Sequence, residues 1–275
     1  MHQIQNILTN TIKWLVPEKD HKKGIILILI LFVWIFTMIL TPILLHQLGN
    51  SLFSTISTIT VIIQFLASLL ALTMIVHWKK GLAIVVISAI FTYSVELLGS
   101  KTGFPFGSYH YTDLLKPQLL DVPLLIPLAW LMMLPPAWAV TTSILGNKRP
   151  FWVFSLVSGL VFTAWDLFLD PQMVSRGLWV WHQPGGYFGI PWTNYLGWWA
   201  SATLLTTLLT KLNILPTNPL EYNYTHRPLV LIYTITWILQ AIGLGIFWNQ
   251  PGPGVAGFLG MGFFAVWAWK KDLSK

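Results

Sequence analysis

Long apolar runs separated by short polar connections make up most of this chain, and the pattern predicts a bundle of membrane-spanning helices. Eight apolar segments follow one another, each with, or close to, the ~20 residues that a helix needs to cross a bilayer. They are 25–45, 52–77, 82–100, 122–145, 151–170, 193–212, 228–248 and 253–270. The turn NQPGPG, Asn249 to Gly254, separates the last two, which could span separately or form a re-entrant break.

The N-terminal region has a different pattern. Residues 1–16 carry apolar side chains at helical spacing, at Ile4, Ile7, Leu8, Ile12 and Leu15. This spacing predicts a short amphipathic helix on the membrane surface. With the basic segment that follows, it forms an interfacial region, 1–24, and we expect residues 25–275 to form a single transmembrane helical domain.

Composition and charge agree with an all-α polytopic membrane protein. The chain is 55% hydrophobic and 9% charged, whereas about a quarter of a soluble domain is charged. Thirteen of its 16 Lys and Arg residues lie in one set of alternate connections, and Lys101, Lys116 and Arg176 lie in the other. This asymmetry predicts that both termini are cytoplasmic, in a multi-pass protein of the plasma membrane. The net charge of +7 then results from the membrane topology and from contact with anionic lipid, so it does not indicate nucleic-acid binding.

Three of the nine acidic residues, Glu96, Asp166 and Asp170, lie within or at the ends of apolar segments. Ionised groups are costly at membrane depth, so such acids indicate a functional site. Asp166 and Asp170 are four residues apart, which places them on one face of a helix. We therefore predict a catalytic carboxyl cluster able to hold a proton at neutral pH. Alternatively, Asp170 only caps its segment while Glu96 pairs with Lys101 or Arg176.

Two long connections, about 101–121 and 171–192, are rich in Gly, Pro and aromatic residues. We expect both to fold over the outer mouth of the bundle, because irregular backbone at a membrane must be covered or line a cavity. With the adjoining segments they supply candidate groups for binding substrate or water. These are Phe106, Tyr109, His110, Tyr111, Trp165, Trp179, Trp181, His182 and Asn194. The aromatic members could instead form an interfacial belt.

Several other kinds of site lack their sequence signatures. No HxxxH or HxH spacing occurs, and the chain has no cysteine, so we expect no metal. This disfavours membrane desaturases and di-iron hydroxylases that depend on histidine clusters. GxGxxG occurs once, as GPGVAG at Gly252–Gly257, but it begins in a turn between two apolar segments and does not follow a predicted strand, and GxxxxGK[ST] is absent, so no nucleotide cofactor is expected.

Three runs occur in order between Tyr93 and Trp199: ELLGSKTGFPFGSYHY, VPLLIPLAW, and WDLFLDPQMV followed by GLWVWHQPGGYFGIPWTNYLGWW. Together they resemble the carotenoid-biosynthesis membrane protein family. That family includes the CruF-type carotenoid 1,2-hydratases and the bisanhydrobacterioruberin hydratases. The resemblance is confined to this part of the chain, and outside it we see only shared hydrophobicity.

The resemblance implies a cofactor-independent hydration of the terminal 1,2 double bond of an acyclic carotenoid ψ-end, which gives a tertiary alcohol. The substrate would be a polyene dissolved in the lipid bilayer, and other enzymes of the same pathway are possible partners. Asp166 is our candidate proton donor, with Asp170 or Glu96 as its partner. Tyr109, His110 and Asn194 would position water. The slot for the polyene would be lined by Phe106, Trp165, Trp179 and Trp181.

Other activities remain open from the sequence. The chain could modify another carotenoid end group, carry lipid or isoprenoid in a proton-coupled transport cycle, or hand carotenoid between enzymes as a scaffold. We find no inverted repeat of the kind that transporters show. The chemical change in the substrate distinguishes these activities.

Overall fold

The computed structural model describes residues 13–16, 20–146, 149–215 and 226–274. Most of the predicted amphipathic helix, 1–16, lies outside these described residues, and only a helical turn at 13–15 belongs to it. Each of the eight predicted apolar segments corresponds to a helix. The helices are α1 His21–Leu48, α2 Phe53–Leu72, α3 Trp78–Thr102, α4 Leu125–Leu145, α5 Phe151–Ser175, α6 Trp192–Lys211, α7 Arg227–Ile242 and α8 Pro251–Leu273.

Within the described residues, seven of these helices are long and apolar enough to cross a membrane, with α7 extended by a π-helical turn at Gly243–Phe247. The protein is therefore a multi-pass, all-α membrane protein. The exception is α6, which has 20 residues but carries Asn, Ser and several Thr side chains along its length. It packs most extensively against α5. The cytoplasmic placement of both termini stays a prediction.

Helix α4 lies at the centre of the bundle. Its apolar stretch is 83% buried, against 28–56% for the other six apolar spans, and it contacts α2, α3, α5, α7 and α8. The outer helices expose large apolar side chains such as Phe32 and Ile90, as expected of surfaces that face lipid. Pro136 lies inside α4 and has no N–H, so it leaves the Met132 carbonyl without its helical donor. The Ser68 hydroxyl donates to that carbonyl at 2.7 Å.

Helix α5 continues through Pro171, so the prediction that this segment ends at Asp170 is wrong. A proline inside a helix leaves the carbonyl four residues earlier without its donor. In α5 that carbonyl belongs to Leu167, and the Tyr187 hydroxyl donates to it at 2.9 Å. Because this partner replaces the lost bond, the helix runs on to Ser175. Asp170 therefore lies inside the helix and does not cap its end.

Four short strands lie in the connections before α4 and before α6. Strands β2, Gln118–Leu119, and β3, Val122–Pro123, form a small hairpin. Strand β1, Tyr109–Tyr111, pairs antiparallel with β4, Trp179–Trp181, in the register Tyr109 with Trp181 and Tyr111 with Trp179. This ladder joins the two long connections, so they meet over the same end of the bundle.

Candidate active site

A small space lies between the β1–β4 ladder and helices α3, α4, α5 and α6. Its volume is about 30 Å³, which is room for about two water molecules. The polar groups that line it are the carboxyls of Glu96 and Asp170, the Asn194 amide and two tyrosine hydroxyls. Its aromatic wall comprises Phe106, Tyr109, Tyr111, Trp130, Trp179, Trp181 and Trp198. We call this space the carboxyl cavity.

Strand alternation explains why only some of the loop residues reach the cavity. Successive side chains of a strand point to opposite faces. Tyr109 and Tyr111 of β1 therefore point inward with Trp179 and Trp181 of β4, while the residue between the two tyrosines, His110, points outward.

Glu96 of α3 is bound by both inward-pointing tyrosines. The hydroxyls of Tyr109 and Tyr111 donate to its Oε2 at 2.6 and 2.8 Å. Burial raises the pKa of both hydroxyls well above the usual tyrosine value, and the charge of Glu96 adds to the effect, so both stay protonated and able to donate. The alternative in which Glu96 pairs with Lys101 is wrong, because Lys101 binds Asp121 at 2.7 Å.

Asp166 and Asp170 of α5 share one donor from α6. The Asn194 amide nitrogen donates to Oδ2 of Asp166 at 2.8 Å and to Oδ2 of Asp170 at 2.5 Å. The Trp179 indole nitrogen donates to the other oxygen of Asp170, Oδ1, at 2.5 Å. Both carboxyls are buried, with 0% and 2% of the residue exposed. Oδ1 of Asp166 has no hydrogen-bond partner among the described residues.

Neutral groups therefore supply these hydrogen bonds to the three carboxyls: two phenols, one indole and one amide. The ion pairs of the described chain involve other acids, Asp20, Asp113, Asp121 and Asp272. Such a site can hold a proton, release it and take it back without breaking an ion pair.

The structure places the remaining predicted binding residues in three different positions. Asn194, Phe106, Trp179 and Trp181 line the cavity beside the tyrosines. The side chains of His110 and His182 lie on the exposed face of the ladder, within hydrogen-bonding distance of one another and away from the cavity. Trp165 is fully buried and its ring lies one layer behind the cavity, against Phe162 and Trp198.

One cavity residue, Trp130, is absent from the sequence-based candidates. Its ring stacks on that of Trp198, with centroids 4.9 Å apart. Trp198 is among the tryptophans between 179 and 199 that the sequence offered as the lining of an apolar slot, and it lies four residues after Asn194, hence on the same face of α6. Trp130 ends the VPLLIPLAW run, and no spacing pattern identifies it.

Phe106 sits between two glycines from different helices. A Cβ atom at Gly99 of α3 would lie 2.6 Å from its ring, and one at Gly197 of α6 would lie 2.7 Å from the ring and 2.9 Å from the Pro105 carbonyl oxygen. Only glycine leaves room for the ring at these two positions. The two glycines thus fix Phe106 in the cavity wall.

We expect Gly197→Ala to destabilise the protein by about 1–3 kcal/mol, because the new methyl group overlaps both the Phe106 ring and backbone. Thermal unfolding of the purified protein in detergent measures this. Gly245→Ala is the matched control, since a Cβ there meets nothing within 4 Å. Equal unfolding temperatures for the two variants would show that Phe106 does not need this space.

Comparison with known proteins identifies the family of this chain and a curated relative. The family model described as "Carotenoid biosynthesis protein" matches residues 49–264, which extends beyond the Tyr93–Trp199 stretch on both sides. The bisanhydrobacterioruberin hydratase of Haloarcula japonica is 31% identical over 204 residues, which cover 73% of this chain and 68% of that protein. No solved structure matches the chain.

Proposed function

This chain belongs to the carotenoid biosynthesis protein family, and from that premise we propose that it is a carotenoid hydratase. It adds water across the terminal 1,2 double bond of an acyclic carotenoid dissolved in the membrane. The observation that carries this proposal is the buried pair Asp166 and Asp170, bridged by Asn194 and facing Glu96 across an aromatic cavity. The name of the Haloarcula relative supports it independently.

The reaction needs an acid, a means to stabilise a cation, and water. The double bond takes a proton at C2, which leaves a tertiary carbocation at C1. Water binds C1 through its oxygen and then loses a proton to a carboxylate, which regenerates the acid. Atoms balance with one water added, and no electrons are exchanged.

We assign the proton in the resting site to Asp166. One oxygen of Asp166 accepts no hydrogen bond from the described residues, whereas both oxygens of Asp170 accept one and Glu96 accepts two. Donors aimed at a carboxylate favour its ionised form, so the carboxyl with the fewest donors is the one that keeps the proton. Asp170, one helical turn away and in the cavity wall, is the member of the pair that passes the proton to the alkene.

The cavity wall is suited to a carbocation. The ionised carboxylates of Glu96 and Asp170 oppose its charge, and the faces of Trp130 and Trp198 attract cations through their ring quadrupoles. At about 30 Å³ the cavity holds water, but a branched hydrocarbon end group needs more room. Part of the aromatic wall must therefore move when the substrate binds.

Expression in a bacterium that accumulates lycopene tests the proposal. We expect a new pigment heavier by one water, with its oxygen derived from labelled water and formed equally well without dioxygen. Liquid chromatography with mass spectrometry measures the product, and the same host without the gene is the control. An unchanged pigment profile, with the protein present in the membrane, would refute the hydratase.

The same experiment separates the alternatives. An oxygenase that modifies the end group would take its oxygen from dioxygen. A proton-coupled transporter or a scaffold would leave the carotenoid chemically unchanged. We further propose that the protein resides in the plasma membrane, where fractionation of its native cells would place it with its substrate and with other enzymes of the pathway.

A further inference from the structure

Two histidines meet on the exposed face of the β1–β4 ladder, opposite the carboxyl cavity. Nδ1 of His110 lies 2.8 Å from Nε2 of His182, and the ring centroids are 5.0 Å apart. The hydroxyl of Ser108 lies 2.8 Å from the other ring nitrogen of His182, Nδ1. The two histidines are 72 residues apart in the chain, so no local sequence motif predicts that they lie together.

We propose that His110 and His182 form a binding site for a divalent transition metal of the Zn²⁺ class. Neutral imidazole is a good ligand for such ions, and each ring offers one nitrogen to the same point. With Zn–N bonds of about 2.0–2.1 Å, tetrahedral geometry puts the two nitrogens about 3.3 Å apart. The two nitrogens need to move apart by about half an ångström, and the rings must turn so that both lone pairs point to the ion.

Ser108 supports this site because a hydroxyl can reverse its role. When no metal is bound it can donate to Nδ1 of His182. When Nε2 of His182 binds a metal, Nδ1 carries the proton and donates to the Ser108 oxygen, which is how metal-binding imidazoles are commonly oriented. Ser108 is thus a positioning residue for the metal-bound ring.

Water completes the coordination of the ion. No cluster of three or more His, Asp or Glu side chains occurs among the described residues, so the protein supplies two ligands here. Both are exposed, and the open positions face solvent.

Metal binding would tie together the two connections that cover the carboxyl cavity. His110 belongs to the first and His182 to the second. Backbone bonds already link them on either side of the pair, from His182 N to the Ser108 oxygen at 2.9 Å and from Thr112 N to the Leu178 oxygen at 3.0 Å. A bridging ion would hold this cover closed. The inference does not depend on the hydration reaction.

Calorimetric titration of the tag-free, detergent-purified protein with Zn²⁺ tests the site. We expect one ion per chain, and affinity at least tenfold lower in both His110→Ala and His182→Ala. Ser108→Ala should weaken binding by about tenfold. His46→Ala, which removes a histidine in the last turn of α1, is the control and should bind like the unmodified protein. Absence of saturable binding, or unchanged binding in the double His110→Ala/His182→Ala variant, would overturn the proposal.

Hydrogen exchange provides a second readout. If the ion bridges the two connections, Zn²⁺ should slow exchange of the Thr112 and His182 amides, whose hydrogen bonds cross between them. The double variant should show no such slowing. Equal exchange with and without Zn²⁺ in the unmodified protein would overturn the bridge.

Discussion

Replacing Asp166 by Asn is expected to lower formation of the hydrated carotenoid by at least about a hundredfold, because an amide has no acidic proton to supply to Asp170 and general acid catalysis contributes about 10²–10⁴. Asn has nearly the same size as Asp and can still accept from Asn194, so the protein should remain in the membrane at its usual level. Pigment analysis in the lycopene-producing host, together with immunodetection of the protein, measures both quantities.

The matched control is Asp113→Asn, the same chemical change outside the cavity. Asp113 lies in the first long connection and forms an exposed ion pair with Lys116 at 3.3 Å. Exposed pairs contribute little to stability, so this variant should make normal amounts of product. Near-normal turnover by Asp166→Asn would show that Asp166 is not the source of the proton.

The second large effect is expected from Glu96→Gln, which should lower turnover by about a hundredfold. The amide oxygen of Gln can still accept from Tyr109 and Tyr111, so the cavity should keep its shape. The variant removes a negative charge that opposes the carbocation, and this loss raises the energy of the transition state. Initial rates in membranes supplied with lycopene measure the effect.

Tyr111→Phe distinguishes charge from positioning at Glu96. It removes one hydrogen bond to Oε2 but keeps the carboxylate, so we expect a much smaller loss of turnover and a stability cost of about 1 kcal/mol. If Tyr111→Phe is as slow as Glu96→Gln, Glu96 serves to hold the tyrosines in place and its charge is not needed.

The helices could be predicted from sequence because apolar runs of spanning length, in a chain so poor in charge, are typical of helices that cross a membrane. The prediction failed where a partner distant in the sequence decides the outcome. Pro171 marks the end of an apolar segment, yet α5 continues past it because Tyr187 supplies a donor to the freed carbonyl. Helix α6 was predicted as the segment 193–212 and is present, although it is more polar than the other helices and packs closely against α5.

The candidate carboxyls could be found because acids are rare in apolar segments, and spacing placed Asp166 and Asp170 on one helix face. The aromatic wall residues in the two long connections were among the candidates, because those connections are conspicuously rich in aromatic residues. Trp130 was missed, since it lies inside an apolar helix and such rings occur throughout the chain. His110 was grouped with Tyr109 and Tyr111, because strand β1 has only three residues and is too short for its alternation to be recognised.

The shared donor Asn194 has a consequence for how the chain is made. It follows Asp170 by 24 residues and lies on the next helix, so the carboxyls of α5 gain this donor only when α6 has entered the bilayer beside it. Until α6 arrives, two acidic side chains lack a partner that the finished protein provides. Docking of α6 onto α5 is therefore the biogenesis step that relieves this cost, and the polar side of α6 is the surface that makes the docking favourable.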